Sequence, residues 1–325
     1  YFVMGVIASI LILYGISFIY LASVDMGYTS LVAIDSSMRW YLSMGSVFLL
    51  SGILFKFGVA PFHMWVPDIY ESAPIMVVNW IAVVPKIAVM SALVRILGVT
   101  GLNQVPVVGQ VLMLSALLSI GYGVLMAVQQ HNLRRLIGYA SIAHMGFVML
   151  PLSLATPSAM SSAFVYLVGY VFITVTAFSV LIVLSQRGIE KLSDLRGLAK
   201  VLPAEAYTLL LSLAAMAGIP PLVGFMIKLN MLNELIVAGY MKSVVWAVLF
   251  VAVSGYYYMS MVRQMFFNES EPKEVLAGNG QEQAIVPPKS NYAVLAWGFA
   301  LIVLGILPQS LLSTLTQVVN SVMIN

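Results

Sequence analysis

Apolar segments of about 20 residues, separated by short clusters of charged and turn-forming residues, recur along the whole chain of 325 residues. That length is what an α-helix needs to cross roughly 30 Å of hydrocarbon. Nine such segments are legible, at about 1–23, 41–61, 75–98, 105–128, 136–155, 159–185, 206–238, 242–266 and 291–308. None alternates apolar and polar positions as the strands of a membrane barrel do. The pattern predicts an all-α, polytopic membrane protein of about nine transmembrane helices, because in lipid each helix must satisfy its own backbone. Two segments carry breaks. The one at 206–238 is too long for a straight helix and is interrupted at Gly218-Ile219-Pro220-Pro221, where two prolines fix φ and remove donors. The one at 41–61 ends on Pro61, five residues past Lys56, and is expected to unwind beside that lysine.

Composition agrees: 61% of residues are hydrophobic, 8% are charged and the mean hydropathy is +1.01. If crossings alternate sides, one side collects nine cations (Arg134, Arg135, Arg187, Lys191, Arg196, Lys200, Arg263, Lys273, Lys289) and the other only Arg39, Arg95 and Lys242. This asymmetry fits the positive-inside rule, so the richer side is read as the inner one and the chain as starting inside and ending outside. The net charge of +3 thus describes membrane loops; without a basic stripe carrying aromatics, nucleic acid is not an expected partner. The absence of cysteine excludes cysteine-ligated clusters from this chain, and His63, His131 and His144 lie on separate segments without ligand spacing, so no cofactor or metal is expected on it. The chain opens at Tyr1 inside an apolar run, which reads as a fragment, a processed product or half of a split subunit. Residues 186–205 suggest a short surface helix, 267–290 a flexible exposed loop, and the stretch after Pro308 an amphipathic tail at the outer surface or on a partner.

Three lysines stand inside apolar runs: Lys56, Lys86 and Lys228. A lysine in mid-membrane costs about 2.5–3.5 kcal/mol on insertion scales, so it snorkels, pairs or faces water. Snorkelling fits worst at Lys86, near the centre of its segment. Desolvation disfavours the charged amine and brings proton exchange near neutral pH within reach, which makes the three lysines natural stations of a proton relay. Helix breaks beside two of them would open room for water at membrane depth. His144 either passes protons between Lys86 and Lys228 or is held structurally by a backbone carbonyl or by Ser141. His63 is expected to make a structural hydrogen bond. Asp68 and Glu71 read as solvated acids at an inner turn, Tyr256, Tyr257 and Tyr258 as packing residues, and Glu234 as either an exit partner of Lys228 or, more simply, an interfacial acid.

The stretches FKFGVAPFHMWVPDIYESAP (55–74), Pro85-Lys86, QHNLRRLIGYASIAHMG (130–146) and LAAMAGIPPLVGFMIKLNML (213–232) closely resemble the antiporter-like membrane subunits of NADH:ubiquinone oxidoreductase, respiratory complex I, and among them the subunit 2 (chain N) type. The resemblance runs end to end. It implies a fourteen-helix fold with two inverted five-helix repeats, of which the nine crossings here match helices 6–14. Residues 1–98 then form the C-terminal part of the first repeat, 105–266 the second repeat, 267–290 an exposed loop, and 291–325 the final helix and tail. Lys56, Lys86 and Lys228 match the family's intramembrane lysines on helices 7, 8 and 12. The first five helices have no counterpart, nor does the membrane glutamate that pairs with the first lysine, so a separate polypeptide carrying those helices is an expected partner.

By this resemblance the chain is a proton-translocating subunit with Lys56, Lys86, His144 and Lys228 as its relay, driven by quinone reduction elsewhere. NADH, FMN, iron–sulfur clusters and ubiquinone are expected on partner subunits of the membrane and peripheral arms. The expected setting is the mitochondrial inner membrane, with the bacterial cytoplasmic membrane as the alternative. The rival readings are a free-standing cation/proton antiporter subunit and a structural membrane-arm subunit with no active channel.

Overall fold

The computed structural model describes residues 2–23, 38–100, 102–267, 292–307, 313–315 and 317, and the described residues are almost entirely helical. In chain order the helices are α1 (Phe2–Ser23), α2 (Arg39–Phe57), α3 (Trp65–Ser72), α4 (Ile75–Val99), α5 (Pro106–Val128), α6 (Leu133–Leu152), α7 (Pro157–Ser185), α8 (Leu198–Val201), α9 (Pro203–Ala217), α10 (Val223–Val237), α11 (Met241–Phe266) and α12 (Tyr292–Ile306). Local chemistry sets several starts. Asn132 caps α6 by accepting from the Arg134 and Arg135 backbone N–H groups, and Thr156 caps α7 by accepting from Ala159 N–H. α5, α7 and α9 each begin on a proline, whose missing donor costs nothing in a first turn.

Seven helices (α1, α2, α4, α5, α6, α7 and α11) are long and apolar enough to span a membrane alone. The crossing expected at 206–238 is the pair α9 and α10, each of 15 residues, and the last expected crossing is the 15-residue α12. Some boundaries move: α6 starts at Leu133, not 136, because the Asn132 cap draws both arginines into the first turn, and the seventh crossing starts at Pro203. The expected surface helix in 186–205 is present as a 3₁₀ turn at Leu192–Leu195 followed by α8. Of the expected loop at 267–290 only Phe267 is described, and most of the expected amphipathic tail lies outside the described residues.

The two breaks share a backbone plan. α2 ends on Gly58 at φ +72° and α9 on Gly218 at φ +88°. Gly58 N–H donates to the Leu54 and Phe55 carbonyls and Val59 N–H to Leu54; Gly218 N–H donates to Ala214 and Ala215, and Ile219 N–H to Ala214. This is the left-handed cap that ends a helix by folding its last donors back, and glycine takes that φ without a Cβ penalty. Three residues on, the bonds preceding Pro61 and Pro221 are cis. The breaks differ in what meets their freed backbone. At the first, the Trp65 indole donates to the Phe55 carbonyl at 3.0 Å and Ala60 N–H to Ser119 Oγ at 2.8 Å. At the second, the donor is Lys228.

α6 is the axis of the bundle, buried along nearly all its length, while α1 is largely exposed on the periphery. α1 is held to α2 by close backbone approach, with Gly15 against Gly45 and Leu49, and Gly52 against Ala8 and Ile12. Around α6 lie the largest fully buried side chains, among them Tyr70, Tyr166, Tyr170, Tyr258 and Phe147. At one end of the bundle Arg135 pairs with Glu71 at 2.6 Å and Asp68 at 3.0 Å, and Arg134 with Glu190 at 2.7 Å. Asp68 and Glu71 are therefore ion-paired with Arg135, Asp68 while still largely solvated. Their shared end with the arginines matches the inner side assigned from loop charge.

Candidate functional site

Lys86 follows Pro85 inside α4, a placement that removes one helix donor beside the amine. The side chain is 2% exposed. Its ammonium donates to Ser141 Oγ on α6 and, at 3.1 Å, to Tyr170 OH on α7. Tyr170 OH in turn donates to Ser141 Oγ at 2.9 Å, and Tyr70 OH on α3 lies 3.3 Å from the same oxygen. The Ser141 oxygen thus accepts twice and has its own proton to give to Tyr70, which uses its full capacity. The Tyr170 ring adds its π-face, 4.8 Å from the Lys86 nitrogen. This buried amine is held by hydroxyls, with no carboxylate among its described contacts.

His144 lies one turn beyond Ser141 on α6. Its Nδ1 is 3.0 Å from Tyr166 OH on α7 and its Nε2 is 3.4 Å from Tyr258 OH on α11. The Tyr170 ring lies 5.6 Å from this imidazole and 4.8 Å from the Lys86 nitrogen, so it touches both. The expectation that Ser141 might hold His144 fails because Ser141 is committed to Lys86. Tyr258 belongs to the site as well as to the packing, whereas Tyr256 is exposed.

Lys228 is the sixth residue of α10. Helical side chains lean toward the N-terminus, so Lys228 reaches back across the break, and its ammonium donates to the Met216 carbonyl at 2.6 Å and the Ala217 carbonyl at 3.1 Å. Those carbonyls close α9, the negative end of its dipole, which favours a cation. The Phe147 ring lies 5.5 Å from this ammonium and 6.3 Å from the His144 ring. Among the described residues no side-chain hydrogen bond joins Lys228 to His144.

Lys56 stands apart. It is exposed, in the last turn of α2, and lines an apolar groove of about 720 Å³ between α1, α2 and α4 with Val6, Ile10, Leu13, Phe55 and Ile81. The structure therefore gathers three of the four predicted residues, Lys86, His144 and Lys228, and leaves Lys56 on an open face. Glu234 does not approach Lys228: its Oε1 accepts from Ser158 Oγ at 2.7 Å near the outer ends of α10 and α7. His63, expected to make a structural hydrogen bond, packs its ring edge-on to Tyr122 at 4.4 Å; neither nitrogen makes a bond of normal geometry, beyond a loose approach to the Pro61 carbonyl. Reading the sequence missed Tyr70, Tyr166 and Tyr170. The available signal was the four-residue spacing of Tyr166 and Tyr170 in an otherwise apolar helix.

An all-helical bundle of long apolar helices, two of them broken, with one buried amine wired through hydroxyls, defines a polytopic membrane protein. Residues 1–256 match the family described as NADH:quinone oxidoreductase/Mrp antiporter, transmembrane. The chain belongs to that family. It is 40% identical over 282 residues to NADH-quinone oxidoreductase subunit N of Ruthia magnifica subsp. Calyptogena magnifica, covering 84% of this chain and 58% of that protein. To subunit N of Thiobacillus denitrificans it is 36% identical, covering 99% of this chain and 66% of that protein. Among solved structures, a chain of respiratory complex I from Thermus thermophilus with bound aureothin matches at TM-score 0.77 and 31% identity, over 97% of this chain and 67% of that one. The chain thus spans roughly three-fifths to two-thirds of these relatives' lengths. The relatives named here are bacterial and give the expected mitochondrial setting no support.

Proposed function

We propose that this chain works as the core of a proton-translocating membrane subunit of an NADH–quinone oxidoreductase, in a bacterial cytoplasmic membrane. The observation that supports this most is the joining of Lys86 to Ser141, Tyr170 and Tyr70 in a buried hydroxyl network, with His144 beside the Tyr170 ring. Such a network can hold an excess proton on an amine and deliver it through reorientation of hydroxyls, each of which gives one proton as it takes another. Lys86 is the central station. His144 with Tyr166 and Tyr258 is the next, and Lys228 at the second break is a further site whose occupancy responds to the helix ends around it.

Lys56 is assigned as the station nearest the neighbouring segment. Its groove suits a further membrane helix presenting a carboxylate, whether on a separate polypeptide or elsewhere in the same protein. The repeated break plan at Gly58 and Gly218 supports the division into 1–98 and 105–266 as related halves. Other membrane-arm subunits are the partners in this reading, and NADH, FMN, iron–sulfur clusters and ubiquinone sit on them; quinone reduction there alters charge and hydration along the lysines.

Lys86→Ala tests it. In the purified oxidoreductase complex reconstituted into proteoliposomes, this variant should assemble normally yet move fewer protons per quinone reduced. Unchanged proton movement would sink the lysine-relay reading.

A further inference from the structure

α7 carries a polar residue every fourth position: Ser158, Ser162, Tyr166, Tyr170 and Thr174. Four residues advance an α-helix by about 6 Å and rotate the side-chain direction by about 40°, so this line winds slowly round the helix as it rises. Its partners change accordingly. In mid-membrane Tyr170 faces Lys86 and Ser141. One turn outward, Tyr166 meets His144. One turn further, Ser162 Oγ accepts from Asn230 Nδ2 on α10 at 3.1 Å, and at the outer end Ser158 Oγ donates to Glu234 at 2.7 Å. Asn230 and Glu234, four apart on α10, present one face to α7. Ser161, at the level of Ser162 and 5% exposed, buries its hydroxyl with no protein partner.

We propose that this winding line on α7, completed by Asn230 and Glu234 of α10, is the outward proton route from the central site, with Glu234 as the release group. The idea rests on the relay reading above and deepens it. The line extends about 18 Å from Tyr170 to Ser158, which is the outer half of a membrane. Among the described residues no hydrogen bond joins Tyr170 to the His144–Tyr166 pair, Tyr166 to Ser162, or the Ser162–Asn230 pair to the Ser158–Glu234 pair; each joint is a single turn of α7 that bridging water covers in this proposal, with the Ser161 hydroxyl available to the water at the second. Lys228, whose described hydrogen bonds go to two backbone carbonyls, has no described hydrogen bond to this line. A proton on His144 thus has a hydroxyl on the outward side at Tyr166. The hydroxyl oxygens, the waters and the ring nitrogen each take a proton and release their own to the next acceptor, while Asn230, whose amide nitrogen donates to Ser162 Oγ, positions that hydroxyl and carries no proton. The last transfer leaves Glu234 neutral until it loses the proton to outer water, so charge and protons balance.

The test uses the complete oxidoreductase complex in proteoliposomes, with Lys86→Ala as the reference. Glu234→Cys should lower protons moved per quinone reduced as far as Lys86→Ala does. Because this chain has no native cysteine, the impermeant reagent 2-carboxyethyl methanethiosulfonate, added at the outer face, should then restore a carboxylate at this position and with it the lost movement. The uncharged methyl reagent should restore nothing; treating the unsubstituted complex in parallel corrects for thiols on other subunits. Tyr166→Phe and Asn230→Leu should each lower proton movement without changing the amount of assembled complex. If Lys86→Ala lowers proton movement while Glu234→Cys, Tyr166→Phe and Asn230→Leu all leave it unchanged, the α7 route is wrong and the relay stands. If Lys86→Ala also has no effect, both fail.

Discussion

Replacing Ser141 by alanine removes one atom from the structure and three contacts from the site. The Ser141 oxygen accepts from the Lys86 ammonium and from Tyr170 OH and lies 3.3 Å from Tyr70 OH. The side chain is 2% exposed, so water does not readily take its place, and losing a hydroxyl leaves too small a space to disturb the packing. A hydrogen bond to a charged group is worth about 1.5–3 kcal/mol, and the Tyr170 hydroxyl left without its acceptor costs about 1–3 kcal/mol more. If only the charged bond bears on proton transfer, that step slows roughly ten- to hundredfold at 1.4 kcal/mol per decade. The assay is proton uptake against quinone reduction in proteoliposomes, with complex assembly checked by native electrophoresis. Tyr170→Phe removes the neighbouring hydroxyl and should act through the same network, so the double variant should lose much less than the sum of the two single losses. Strict additivity, or wild-type proton movement in Ser141→Ala, would refute the claim that Lys86 works through these hydroxyls.

Gly218→Ala should lower the thermal midpoint of the purified protein and also its proton movement, because the residue sits at φ +88° and the new Cβ would lie 3.1 Å from Lys228 Cδ; the left-handed conformation alone costs about 1–2 kcal/mol. Gly188→Ala is its control: with φ +73° and nothing within 4 Å it should cost stability but leave proton movement intact, as followed by the same two measurements. Asn132→Ala should destabilise by about 1 kcal/mol through loss of the α6 cap, read from thermal or denaturant unfolding in detergent. Asp68→Asn should change stability by less than about 1 kcal/mol, since its carboxylate is 69% exposed and its pairing with Arg135 is screened by solvent; a loss several times larger would show that the inner ion pairs hold the bundle together.

The helices were legible because burial in lipid writes itself as uninterrupted apolar length, and both breaks were legible because proline and glycine act locally. Three of the four residues singled out as relay stations do meet around α6. What the sequence hid was lateral: which helix lies beside which. Ser141 was legible as a hydroxyl on α6, but its allegiance to Lys86 in place of His144 depends on how α4 and α6 pack. Tyr70, Tyr166 and Tyr170 look like ordinary aromatic filling until their hydroxyls are seen to converge from α3 and α7. Lys56 and Lys228 look equivalent in the sequence, each beside a glycine–proline break. The structure separates them, because Trp65 and Ser119 serve the first break's backbone and leave Lys56 free, whereas Lys228 is itself the donor at the second.

That last difference has a mechanical side. A lysine paired with a carboxylate loses its counter-charge when the acid takes up a proton, but the counter-charge of Lys228 is the end of a helix and cannot be titrated away. It can only be moved. Any change in the angle between α9 and α10 shifts the Met216 and Ala217 carbonyls against the amine that spans the joint. On the proposed relay, bending at Gly218 and proton occupancy of Lys228 are coupled, so a force on either half-helix would change the charge, and a change of charge would push back.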